Sequence, residues 1–297
     1  MSYYMDLATL VGIQVIAVVG VFAISGLTGL MSLGQGGFMA IGAYTAVLTN
    51  MRLGVPWPLA ILLGMVAVCI VSPIVGYPSL RLRRDFFAIA TFGFGEAVTA
   101  LGRMFTQVTG GTMGLAGIPR FTNVWIVAFA VGATIFMTAN LKNSRLGRNS
   151  LAIRSDELSA EAAGIDVFGH KMKVFVYGAS LAGLAGGLQA FFIHYMDPMI
   201  FNVWTSVEQV VLVYFGGINS LTGCVVSTLL LSALPEAFRF ARLWRVVIYS
   251  VFVVVILNLR PQGLLGDYEL SLASIRGALS NCCRSRRKRY TESTGLE

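Results

Sequence analysis

"TGLMSLGQGGFMAIGAY", residues 28–44, decides how the rest of the chain is read. Apolar runs flank it, yet it carries Gly29, Gly34, Gly36, Gly37 and Gly42 together with Thr28, Ser32 and Gln35. In water this would be an ordinary loop. In a bilayer, loose amides and carbonyls survive only when buried in protein or lining a wet cavity. A Gly-rich break between helices then has two readings. It is the unwound backbone of a pathway or gate, as in transporters built from discontinuous helices, or it is close helix packing through small residues. Spacing leaves both open.

Composition puts the stretch in lipid. The chain has 297 residues, 56% hydrophobic and 12% charged, with a mean hydropathy of +0.75. Globular domains are about 25% charged. A spanning helix needs about 20 mostly apolar residues. Such runs fall near 7–29, 36–51, 57–78, 86–105, 122–141, 172–195, 207–235 and 244–259. The 207–235 run contains "GGINSLTG" (216–223) and is too long for one plain helix. The expected fold is an all-α polytopic transmembrane bundle of about eight to nine spans with Gly-rich broken or re-entrant segments, over 1–266, then a basic tail, 267–297. "GASLAGLAGG" (178–187) reads best as a packing face.

Net charge is +8, and its placement matters more than its sum. Basic residues cluster at 81–84, at Lys142, Arg145, Arg148 and Arg154, at 170–173 and at 284–289, between apolar runs or after them. That is the positive-inside pattern, so no nucleic-acid partner is needed. The tail reads as an anchor to anionic membrane lipid. With 142–171 cytoplasmic, "TGGTMGLAGIP" (109–119) is external, 81–84 is cytoplasmic and the N-terminus is outside. An odd number of crossings then puts the tail inside, favouring nine spans. Residues 1–6 carry no positive charge, so the first run is expected to stay as a span.

The one sizeable polar segment between spans is 142–171. Within it "RSDELSAEAAGID" (154–166) predicts a short helix with Ser155 or Asp156 as N-cap and Gly164 as its stop. Asp156, Glu157 and Glu161 give it an acidic side; Leu158, Ala162, Ala163 and Ile165 give an apolar one.

Catalytic chemistry is absent. There are two histidines, His170 and His194, both read as ordinary interface residues, and no metal-ligand spacing. No lysine follows a glycine, so no Walker-type ATP site exists in this chain. No cofactor and no metal are expected. Glu96 is the sharpest single residue: a carboxylate near the middle of 86–105 has either a pairing role at a helix seam or a place on a translocation path. Arg103 lies two turns further on.

Six motifs in order bear on function: "SLGQGGFMAIGAY" (32–44), "FFAIATFGFGEAV" (86–98), "TGGTMGLAGIP" (109–119), "SRLGRNSLAIRSDELSAEAAGID" (144–166), "GGINSLTG" (216–223) and "LRPQGLLG" (259–266). Over residues 10–266 the chain resembles the permease subunits of bacterial ABC importers for branched-chain amino acids, in the branch that also contains urea importers. It departs at Arg84, where relatives often have Gly, and in the tail. The resemblance implies a transport subunit of the inner membrane with no enzyme activity of its own. Its implied partners are cytoplasmic ATPases, a second related permease forming a heterodimer, and a periplasmic substrate-binding protein. The segment holding Asp156, Glu157, Leu158, Glu161, Ala162, Ala163 and Gly164 resembles the coupling helix that docks on the ATPase. Gly34, Gln35, Gly36, Gly37, Glu96, Gly216 and Gly217 are the candidates for the translocation path. The alternatives are urea or a short amide as substrate, or, in another class, a stand-alone channel or secondary transporter.

Overall fold

The computed structural model describes residues 2–82 and 84–237 and a few positions between 250 and 266. Most of the expected span 244–259, most of "LRPQGLLG" and the whole tail lie outside the described residues. The chain folds as an all-α membrane bundle. In order it forms α1 (Ser2–Thr28), α2 (Gln35–Leu53), α3 (Trp57–Ser79), α4 (Arg84–Met104), α5 (Thr106–Thr109), β1 (Leu115–Ala116), α6 (Val124–Asn143), α7 (Arg145–Ser155), α8 (Glu157–Ala162), α9 (Val167–Ile193), β2 (Tyr195–Met196), α10 (Val203–Gly216) and α11 (Leu221–Ala237). Each expected run up to 235 coincides with helix, and 207–235 is split in two at 217–220. The strands form one antiparallel pair, Leu115 opposite Met196, which ties 109–119 to the segment after α9.

Among the described residues five helices are long and apolar enough to cross a membrane, including α1, α3, α6 and α9. The fifth is α10 together with the 3-10 turn Pro198–Phe201 before it. Lipid tails are as apolar as leucine, so water does not drive these helices together; close packing does. Helix α9 is the axis, with α1, α2 and α3 around it, and its glycines meet backbone directly. A Cβ added to Gly186 would lie 2.0 Å from the Met39 carbonyl oxygen. One on Gly42 would lie 2.4 Å from that of Gly183, and one on Gly178 2.6 Å from that of Gly20. The outer faces of α3 (Leu62, Val66, Ile70, Ile74) and α6 (Trp125, Phe129, Phe136) are exposed and apolar over these residues, as a lipid contact requires.

Depth follows from register. Gly37 packs on Gly95, and Gly95 lies about 16 Å along α4 from its start at 1.5 Å per residue, close to the middle of that helix. Helix α2 therefore begins at mid-depth, and the non-helical residues 29–34 carry the chain there from the end of α1. Helix α10 begins beside it, since Gly36 packs on the carbonyl oxygens of Phe201 and Asn202. Two helix N-termini thus meet inside the bundle.

Candidate coupling loop and mid-depth junction

The loop between α6 and α9 is built from caps. The Ser144 hydroxyl accepts the Gly147 N–H (3.2 Å) and starts α7. Asp156 ends α7 and starts α8: its carboxylate accepts the Leu158 N–H (3.1 Å) and the Ser159 hydroxyl (2.5 Å). These bonds, that from Ser159 foremost, hold the Asp156 carboxyl below its ordinary value. The cap therefore stays charged above the usual carboxylate range and is lost only as pH falls through the depressed value. Helix α8 stops in a Schellman motif. Gly164 takes a φ of +80°, its N–H donates to Glu161 (2.9 Å), and the Ile165 N–H donates to Ala160 (3.1 Å). Of the two N-caps open in the sequence, Asp156 is the one used.

Three basic side chains, besides the Asn149–His170 bond, fix the loop to the bundle. Arg154 donates to the Gly26 carbonyl at the end of α1 (2.7 Å). Lys142 donates to the Asn219 carbonyl between α10 and α11 (2.6 Å). Lys171, its side chain 7% exposed, pairs with Glu157 at 2.7 Å. The named coupling residues accordingly divide. Asp156 and Glu157 hold the helix in place, and Ala160 is buried beneath it. Leu158, Glu161, Ala162, Ala163 and Gly164 are exposed, with Leu158 at 78%. Positions 158, 161 and 162 share one helix face, so α8 turns an apolar residue and an acid outward together.

The second locus is the mid-depth junction. Gly34, Gln35, Gly36 and Gly37 are all buried. The Leu33 N–H donates to Thr91 Oγ1 (3.1 Å), and the Gly36 N–H donates to Ser206 Oγ (2.8 Å). Gln209 Nε2 donates to Met39 Sδ (3.1 Å). Both polar atoms of the Gln35 side chain, with Gln209 Oε1 and Ser32 Oγ, are buried without a hydrogen-bond partner. Within this chain Gly36 and Gly37 serve close helix approach. Gly216 does the same against Gly223, where a Cβ would meet a carbonyl oxygen at 2.5 Å. The Gly217 N–H closes α10 on Val213 (3.1 Å), and the Leu264 N–H donates to Phe215 (2.8 Å), so the "GGINSLTG" and "LRPQGLLG" motifs meet.

Glu96 stands apart from that cluster although it follows Gly95. It is exposed on the outer face of α4 with Gly93 and Ala97. Arg103 is also exposed and contacts Met199, beyond β2. His170 bonds to Asn149 Nδ2 (3.1 Å) and the Asp166 carbonyl (2.7 Å), and His194 to the Ile118 carbonyl (2.9 Å), both at the ends of α9. The sequence reading did not single out Ser206 or Gln209, and it took Arg154 and the 170–173 cluster only as positive-inside charge. A glutamine inside the apolar 207–235 run was the available signal for the first pair. For Arg154 and Lys171 there was none, because their partners are distant in sequence.

A bundle with spans broken at mid-depth and a capped, anchored loop at one end defines a multi-pass membrane transport protein. Residues 3–257 match the family described as "Branched-chain amino acid transport system / permease component", and the chain belongs to that family. It is 32% identical over 295 residues to the "High-affinity branched-chain amino acid transport system permease protein LivM" of Escherichia coli (strain K12), covering 88% of this chain and 69% of the relative. The "Probable branched-chain amino acid transport permease protein LivM" of Methanocaldococcus jannaschii is 24% identical over 237 residues, covering 70% and 68%. The LivH permease of the same E. coli strain is 30% identical over 150 residues, half of this chain and 47% of the relative. No solved structure matches the chain. It is a transport permease component, as the resemblance implied.

Proposed function

We propose that the chain is the membrane-spanning subunit of an ATP-driven importer that carries branched-chain amino acids across the inner membrane. ATP hydrolysis belongs to separate subunits that dock on α8. A periplasmic binding protein delivers the substrate. A second, related permease, of the kind LivM and LivH suggest, completes the pore against the α4 face. The loop 142–171 lies on the cytoplasmic side, which its Arg and Lys residues favour, and the N-terminus faces the periplasm. Glu96 lines the path between the two permeases. Gly34, Gln35, Gly36 and Gly37, with Gly216 and Gly217, form the gate backbone behind it, since unwound segments at membrane depth are tolerated where protein shields them or a cavity wets them.

The observation that carries this reading is the outward face of α8, an exposed Leu158 beside Glu161 on a helix capped at both ends and anchored three ways. Leu158→Asp and Glu161→Lys touch only that face. Purified in mild detergent, the native chain is expected to bring down an ATPase, and the double variant to lose it at least tenfold while inserting normally. Equal recovery of the ATPase with both would remove α8 as the docking site; no ATPase with either, even after crosslinking, would favour a stand-alone transporter.

A further inference from the structure

A cavity of about 630 Å³ lies between α2, α3 and α4. Helix α2 contributes Ala40, Ile41, Tyr44, Thr45 and Leu48; α4 contributes Phe94, Val98 and Leu101, with Phe105 just beyond it. No charged side chain lines it. It opens past Leu101, Phe105 and Val108, which are all exposed, onto an apolar outer surface of the bundle. The α4 stripe from Phe94 to Phe105 is about 16 Å long at 1.5 Å per residue. Among the lining residues, Tyr44 has a buried hydroxyl without a hydrogen-bond partner. At the mouth stands Arg52, one turn beyond Leu48, exposed and reaching the carbonyl oxygens of Gln107 (2.9 Å) and Val108 (3.5 Å).

This chemistry selects among ligands. A free amino acid would bring an ammonium into an apolar cavity whose lining holds no carboxylate to meet it. A hydrocarbon chain needs no such partner. A cation at the lipid-water boundary pairs with phosphate. We propose that this cavity is a phospholipid site, with one acyl chain between α2 and α4 and the phosphate on Arg52. The site depends on the chain lying in a bilayer and not on which solute it transports.

The test reconstitutes the full-length chain, with whatever subunits co-purify, in vesicles of phosphatidylethanolamine and phosphatidylglycerol. The vesicles carry a trace of phospholipid with a diazirine on one acyl chain, and illumination is followed by peptide mapping. Label is expected to concentrate at 40–48 and 94–105, several-fold above the lipid-facing residues of α3 and α6. Ala40→Phe with Val98→Phe, which fills the cavity, should remove that excess and leave the α3 and α6 label unchanged. Arg52→Gln, which removes the charge together with its contacts to Gln107 and Val108, should reduce the excess at least threefold, and Arg52→Lys, which keeps the charge, should restore it. Uniform labelling of the native chain would overturn the site. So would labelling insensitive to Arg52→Gln, or an excess displaced by free leucine, which would give the cavity to the transported solute.

Discussion

Glu157 shows why acid and apolar residues on one short helix have different jobs. Its carboxylate is spent on Lys171, which is nearly buried, whereas Glu161 one turn later is exposed. Reversing Glu157 would set two cations against each other and loosen the loop from within, so its loss of ATPase binding would say little about the docking face. The expected pattern is reciprocal. Glu157→Lys alone and Lys171→Glu alone each weaken ATPase co-purification, and the pair together restores most of it. At this partly exposed site the interaction is worth about 1 kcal/mol, so recovery by about fivefold is the size to look for. A double variant no better than either single would mean that Glu157 itself touches the ATPase. Glu161→Lys has no such internal partner to rescue it.

At the scale of elements, the long helices were legible in the sequence because about 20 apolar residues in a row have few other fates. The end of α8 was legible too, from Gly164 and the acids before it. Helix α7 was not: "RLGRNSLAIRS" alternates charge and apolar residues too irregularly to mark a face. Two-residue strands such as β1 and β2 fall below any periodicity. The mid-depth start of α2 could not be read either, because depth is set by register against α4, and chain order does not record it. Of the two readings open for residues 28–44, the packing one accounts for Gly36 and Gly37 within this chain, and the unwound one for 29–34. The same logic makes α9 sensitive where lipid-facing helices are tolerant. Gly186→Val forces a side chain into the Met39 backbone and should cost more than about 3 kcal/mol, seen as earlier aggregation on heating in detergent. Gly132→Val on α6, with open space around it, should leave the melting profile unchanged. Equal behaviour of the two would mean that α2 and α9 are not packed through their glycines.

For the whole molecule, the outer surfaces differ in kind. The face of α3 from Leu62 to Ile74 and that of α6 from Trp125 to Met137 are apolar, while that of α4 carries Glu96 near its middle. Leaving an acid against lipid there costs about 3 kcal/mol on insertion scales, so the α4 face is the one a second permease has reason to cover. Cysteine at Ala97 should crosslink to that subunit, and cysteine at Phe129 should not; a result the other way round would turn the pore to α6. Lipid and protein neighbours would then divide the surface of α4, with Glu96 on the protein side and the Phe94 to Phe105 groove on the lipid side.

One feature of the loop bears on how the molecule would move. Arg154 grips the last turn of α1, and Lys142 grips the turn between α10 and α11. The first leads into residues 29–34, and the second closes the far end of the helix that starts beside them. Loop, α1 and α10 therefore form a closed kinematic chain, in which a pull on α8 reaches one joint through two neighbouring anchors, since Gly26 itself packs on the Ile218 carbonyl.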